Sequence, residues 1–278
     1  MYSDKKPLFH ILLKEYHLLC NHSKLQQRPQ SLIMSTRSEL RQDAFKIGIS
    51  ILQTAKDPDH ILKHSKYIGL TYKLDLHKKY FKQLLMHPKL QPLIAERYAV
   101  PWPSLEDMSS MPSGSLGFCM QQRSKELGID INPLLTFNKS SIKALKSMTA
   151  EEYYFGRFEF THDIHHLILG IPTSVAGEAA FAGYYTMSNQ EPGLIALLAT
   201  WMTHSFINPE EHQIIWRGIN FGIQLGLAEI FLQGCRWEEG WERPLAEWRA
   251  ELGLLELLER SPFQDEVHRW ETLSSQRV

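Results

Sequence analysis

A chain of 278 residues, 43% hydrophobic and 22% charged, is long enough to bury one large core or two small ones and too apolar to be disordered throughout. Its formal charge of -1 hides an asymmetry, because residues 1–100 carry 17 Lys and Arg against 8 Asp and Glu, whereas the remainder carries 13 against 23. Cys20, Cys119 and Cys235 lack CxxC spacing, which argues against a disulfide framework and a thiolate metal site and suits a reducing compartment.

The basic residues are interleaved with long apolar helix faces and not clustered in an arm. An anionic membrane surface is therefore the expected partner in preference to nucleic acid, beside the plain alternative of a solvated helix face. No stretch reaches the roughly 18 uninterrupted apolar residues that span a bilayer, and Leu194 to Met202 is the nearest. The first residues, Met1 to Pro7, hold neither a signal-peptide core nor the Arg-rich, acid-free start of a mitochondrial transit peptide. The expectation is a bacterial cytoplasmic protein that is peripheral to the membrane.

Leu8 to Cys20 is apolar around most of a helical circumference, as in a buried or a membrane-dipping helix. Leu40, Ala44, Ile47 and Ile51 recur at helical spacing, and Lys56-Asp57-Pro58 ends that helix. His60 and His64 are four apart, but no carboxylate stands at a matching position and lysines surround them, so a structural or solvated pair is expected. Leu76, Tyr80, Phe81, Leu84 and Leu85 form a further stripe, and Lys89 to Tyr98 a short helix. Pro101-Trp102-Pro103 then separates a basic helical region, 1–100, from a second region, 101–260, within what reads as one continuous domain.

Met111 to Gly117 opens a helix that closes at Gly128, a left-handed C-terminal residue, and Gly117 suits close backbone packing. Thr149 and Glu152 form a capping box at the start of the next helix. That helix carries His162-Asp163-Ile164-His165-His166, followed by eleven residues and Glu178. His162 and His166 project from one face with Asp163 flanking, and the Gly170-Ile171-Pro172-Thr173 turn lets a second helix return Glu178 towards them. Phe155, Phe158, Phe160, Leu167 and Leu169 bury this cluster, so hydrogen bonds or a cation must neutralise it. Glu159, one turn earlier, is a candidate proton-transfer group, as is His165, for which a structural hydrogen bond is the stronger expectation.

Ala179 to Tyr185, with Ala182 and Gly183, is a run of small residues and aromatics that admits a helix or a slender ligand. Asn208-Pro209-Glu210-Glu211 has the composition of a helix start. Gly218, Gly222 and Gly226 follow at spacing four, which suits tight helix packing first and a lipid groove second. No period-2 alternation, GxGxxG, P-loop or GxSxG occurs, and the fold class is all-α: a multi-helix domain with long C-terminal helices and an N-terminal helical extension.

On these residues the chain resembles the fourth coenzyme Q (ubiquinone) biosynthesis protein family, marked by HDxxH, eleven residues and Glu; His162, Asp163, His166 and Glu178 occupy its four positions. Pro112 to Gly117, Gly170 to Thr173, Trp237-Glu238 and Arg249 to Gly253 extend the match over about residues 111–254. The resemblance implies an all-α, membrane-peripheral homodimer that binds a divalent cation and a polyprenyl lipid or prenylated quinone precursor. It also implies oxidative decarboxylation at C1 of a polyprenylated 4-hydroxybenzoate and association with other quinone-biosynthesis proteins. Two imidazoles and two carboxylates suit Zn²⁺ or Fe²⁺, and with water also Mg²⁺. The rival readings are a metal-dependent phosphohydrolase acting on a prenyl phosphate, which would recruit His60 or His64, and a non-enzymatic prenyl-lipid carrier.

Overall fold

The computed structural model describes residues 37–128, 147–189 and 192–275, so the apolar segment 8–20 lies outside the described residues. Among the described residues the regular structure is helical, with one isolated antiparallel bridge between Ser115 and Pro244. The longer helices are α1 (Arg37–Lys56), α2 (Asp75–Leu85), α3 (Leu116–Leu127), α4 (Ala150–Leu169), α5 (Val175–Asn189), α6 (Pro192–Ile207), α7 (His212–Leu227), α8 (Leu245–Glu251) and α9 (Gln264–Ser275). Short helical turns fill most of the connections. The all-α expectation holds.

Local chemistry sets the limits of α3 and α4. Ser115 caps α3 by accepting from Phe118 N, and Gly128 closes it with φ 62°. Thr149 and Glu152 form the expected reciprocal box, Glu152 N donating to Thr149 Oγ1 at 3.2 Å and Thr149 N to Glu152 Oε2 at 2.9 Å. Such a cap contributes about 1 kcal/mol. Gly170 ends α4 with φ 57°, where a side chain would be strained. Beneath that end the fully buried guanidinium of Arg249 on α8 donates to Leu167 O, Ile168 O and Val267 O at 3.0, 3.1 and 3.2 Å. A cation thus satisfies the last carbonyls of α4 and ties α8 and α9 to it.

The glycine face of α7 packs on α5. An added Cβ would stand 1.8 Å from Ala180 O at Gly222, 2.7 Å from Ala176 O at Gly218 and 2.7 Å from Tyr184 O at Gly226. From the other side, a Cβ at Gly183 would meet Ile219 O at 2.8 Å. Backbone of the partner helix fills the groove, so the expected lipid path along Gly218, Gly222, Gly226, Ala182 and Gly183 gives way to tight helix packing. Gly117 likewise sits against Trp241 O, to which its own N–H donates at 2.8 Å.

Three expectations about helix faces and ends are corrected. On α1 the buried positions are Ser50, Thr54 and Ala55, while Leu40 and Ala44 are exposed and Ile47 and Ile51 half-buried. The cause is polar docking: Tyr67 N donates to Ser50 Oγ, and the buried His204 of α6 donates from Nδ1 to Ala55 O at 2.6 Å, contacts that need small side chains. On α2 the inner face is His77, Phe81 and Leu84, with Leu76 outside. The helix expected to start at Asn208 starts at His212, because Asn208 N still donates to His204 O and closes α6, and Glu211 accepts from His204 Nε2 at 2.9 Å.

Two substitutions separate the roles of glycine. Gly222→Ala pushes a methyl group into the backbone of α5 and is expected to destabilise by about 3 kcal/mol or more. Gly48→Ala, on α1 with no atom within 4 Å of its Cβ position, is expected to stabilise by about 0.5–1 kcal/mol. Thermal unfolding of both variants checks the pair.

Candidate metal centre

Helix α4 supplies His162 and His166 and the first turn of α5 supplies Glu178. The turn between them is shaped by backbone: Ile171 N donates to His166 O at 3.0 Å, and Gly177 N to Ser174 Oγ at 3.3 Å. Gly177 approaches so closely that a Cβ would lie 1.8 Å from Pro172 O. This tight return faces Glu178 onto the two imidazoles across only eleven intervening residues.

His162 Nε2 and His166 Nε2 are 3.1 Å apart, His166 Nε2 and Glu178 Oε1 3.3 Å, and His162 Nε2 and Glu178 Oε2 3.9 Å. All three side chains are buried, Glu178 at 3% exposure and His166 at 0%. His166 donates its Nδ1–H to Ile171 O at 2.9 Å, so its Nε2 lone pair faces the other two groups. Burial above all, then the charge of Arg123, brings His166 down to about 3, so it is neutral at ordinary pH. Burial raises the Glu178 carboxyl, with His162 and Arg123 opposing.

The donor set fits a divalent cation. Ligand distances of about 2.0–2.1 Å in tetrahedral geometry give donor–donor edges of roughly 3.3 Å, and two of the three edges here are 3.1 and 3.3 Å. A neutral His166 whose Nε2 lone pair faces the cluster, and a buried carboxyl that gains from a neighbouring positive charge, are chemical states a metal requires.

The structure brings together three of the four expected ligands. Asp163 lies outside the cluster, although its Oδ1 is buried and has no hydrogen-bond partner among the described residues. On α4 it is a single residue, about 100°, from His162, and that turn carries it past the point where the other three meet. His165 Nδ1 lies 2.7 Å from the Tyr185 hydroxyl, the structural hydrogen bond expected of it, and burial holds its imidazole well below the usual histidine range. Glu159 is half-buried on α4 and is not part of the cluster.

An aromatic wall accompanies the three ligands. Phe181 has its ring centroid 4.3 Å from His166 and 5.1 Å from His162, and Tyr185 packs on Phe158 at 4.7 Å. Phe181 and Tyr185 stand three and seven residues after Glu178, on its helical face, so sequence spacing was sufficient to single them out. The buried Arg123–Glu266 ion pair at 3.0 Å, which joins α3 to α9, carries no such local signal. His60 and His64 stay apart from the centre: Asp57 accepts from His60 Nδ1 at 2.9 Å and His64 Nε2 at 3.2 Å, and these bonds hold its carboxyl below the usual range. A carboxylate therefore does serve that pair, three residues before the first histidine.

The sequence profile of the family described as coenzyme Q (ubiquinone) biosynthesis protein Coq4 matches residues 44–257. The chain belongs to this family. The Coq4 match contains α4, α5 and all three clustered side chains. The chain is 28% identical over 154 residues to the ubiquinone biosynthesis protein COQ4, mitochondrial, of Coccidioides immitis, covering 54% of this chain and 50% of that one. It is 23% identical over 175 residues to the mitochondrial COQ4 homolog of Mus musculus, covering 62% and 63%.

The chain thus spans about half the length of the first of these Coq4 relatives. Both are described as mitochondrial, so they lend no support to the expected bacterial cytoplasm. Among the described residues no helix is long and apolar enough to cross a membrane. A crystal structure from Nostoc punctiforme, provisionally described as a ubiquinone biosynthesis protein, superposes with a TM-score of 0.59 at 20% identity over 77% of this chain and 97% of that one. That likeness concerns the fold.

The depressed histidines set the acid limb of stability. In the unfolded chain His165 and His166 titrate near 6.5; folded, both are held below that, His166 at about 3. The unfolded state binds more protons through this window, so stability falls as pH drops from 6.5 towards 3. The metal-free protein is expected to show a melting temperature that declines steadily below pH 6.5. A flat profile down to pH 4 would show that the imidazoles are solvated.

Proposed function

We propose that this chain acts in ubiquinone biosynthesis by binding a divalent cation at His162, His166 and Glu178, and a polyprenylated 4-hydroxybenzoate beside it, for oxidative decarboxylation at C1. The observation that carries this reading is the buried two-imidazole, one-carboxylate cluster inside the Coq4 match. The names of the relatives support the pathway. With three protein ligands, a divalent ion keeps positions for substrate oxygens, as catalytic sites do, and Zn²⁺, Fe²⁺ and Mg²⁺ all suit the donor set.

Bound there, the ion would orient the ring by its oxygens and stabilise developing negative charge. The 4-hydroxyl is para to the carboxylate carbon, so its ionisation enriches that carbon in electrons and opens it to dioxygen, the two-electron oxidant of the reaction, as CO₂ leaves. Phe158, Phe181 and Tyr185 line the cluster with aromatic surface and exclude water from it. His166 is oriented by Ile171 O, and His165 holds the Tyr185 hydroxyl at a fixed position on the face of Glu178. In this reading Glu159 and His165 are the candidate proton-transfer groups of the chain. The protein works peripherally at a membrane, as a homodimer in association with other quinone-biosynthesis proteins.

Two measurements test the reading. Glu178→Ala is expected to abolish stoichiometric metal by elemental analysis, whereas Asp163→Asn retains it; full metal content in Glu178→Ala overturns the centre. Metal-loaded protein incubated aerobically with a polyprenyl 4-hydroxybenzoate is expected to release CO₂ and yield the C1-hydroxylated product by mass spectrometry. Bound but unaltered lipid identifies a carrier instead, and phosphate release from a prenyl phosphate a phosphohydrolase.

A further inference from the structure

Helix α1 buries Ser50, Thr54 and Ala55 and turns an apolar stripe outward. Phe45 is 71% exposed and Leu52 62%, with Ile49 half-buried between them and Gly48 in open space. Positions 45, 48, 49 and 52 are the i, i+3, i+4, i+7 set of one helical face. Burying an exposed Phe and Leu of this kind is worth about 1.5–3 kcal/mol each. An outward apolar face of this kind marks an interaction surface.

The rim of that stripe is cationic. Arg41, Lys46 and Lys56 are all exposed, and the one acid between Leu40 and Lys56 is Asp43, which Lys46 approaches at 3.8 Å. Helix α6 also exposes Ile195, Phe206 and Ile207, but Glu210 and the half-exposed Glu211 follow it directly. Among the described residues only the α1 face joins exposed aromatic and aliphatic side chains to a positive border. Two copies of this chain paired through α1 about a two-fold axis would set cations against cations. An anionic lipid surface complements both features at once.

We propose that the outward face of α1 docks this protein on an anionic lipid surface, Phe45, Ile49 and Leu52 entering the boundary between headgroups and acyl chains while Arg41, Lys46 and Lys56 meet lipid phosphates. This rests on the membrane part of the proposed function and is independent of its chemistry. It names the face that the basic excess of residues 1–100 left open.

Flotation of the full chain with phosphatidylcholine vesicles, with and without phosphatidylglycerol, tests it. The wild type is expected to float with anionic vesicles and to be released by salt. Phe45→Ser with Leu52→Ser is expected to bind at least about tenfold more weakly, with unchanged metal content and circular dichroism reporting an intact fold. Arg41→Gln with Lys56→Gln is expected to flatten the salt dependence. Failure of the wild type to float would overturn the membrane reading as a whole, whereas flotation of the serine variant as well as wild type would overturn the α1 face alone. A wild-type dimer that the serine pair converts to monomer without affecting flotation would make α1 an interface between copies and overturn the proposal.

Discussion

Glu178 is a carboxyl group removed from water, facing His162 and a His166 that burial keeps neutral. A buried charge of that kind costs several kcal/mol unless something opposite in sign compensates it, and a neutral His166 compensates only weakly. The chain maintains the arrangement with an unusually close-fitting backbone. Gly177 lies against Pro172, Gly222 lies against Ala180, and α5 is thereby pressed between the turn that precedes it and the helix α7 behind it. Packing energy spread over α5 and α7 holds one unfavourable group in place, which is how strained or charged sites persist in otherwise stable folds.

The second support lies at the end of α4. Arg249 gathers the terminal carbonyls of that helix, and Gly170 and the His166–Ile171 hydrogen bonds turn the chain immediately afterwards. The residue that orients the His166 imidazole is therefore part of the same turn that reverses the chain. Arg157 does comparable work towards the start of α4, where its guanidinium pairs with Glu238 at 2.8 and 3.1 Å and donates to Cys235 O at 2.7 Å. Two buried arginines thus fasten α4 to the C-terminal part of the chain, and the stretches Trp237-Glu238 and Arg249 to Gly253 take part in the centre without touching it.

The elements read most directly from sequence were those defined by local chemistry. The capping box at Thr149, the left-handed glycines at 128 and 170, and the His162–His166 face all depend on groups within a few residues of each other. The misread elements were those in which a distant partner altered a local preference. Apolar periodicity assigned Leu40, Ala44, Ile47 and Ile51 to the core, but α6 approaches α1 through a histidine–carbonyl hydrogen bond, and only small residues permit that distance. The start of α7 moved because Asn208 and Glu211, good capping types in isolation, are engaged by His204 of the preceding helix.

By itself, then, the sequence determined the helical class, the capped start of α4, the glycine ends of α3 and α4, and the presence of two imidazoles on one face with a carboxylate after a turn, since each follows from torsional preference or from short-range spacing. Only the tertiary structure decided that Asp163 stands apart from the cluster, that the glycine ladder is filled by α5, and that α1 faces outward with Phe45 and Leu52. These are questions of which surface meets which. A hydrophobic or glycine stripe states that a helix has a face to bury or to pack, while its partner is chosen by contacts between residues far apart in the chain, such as the 149 positions that separate Ala55 from His204.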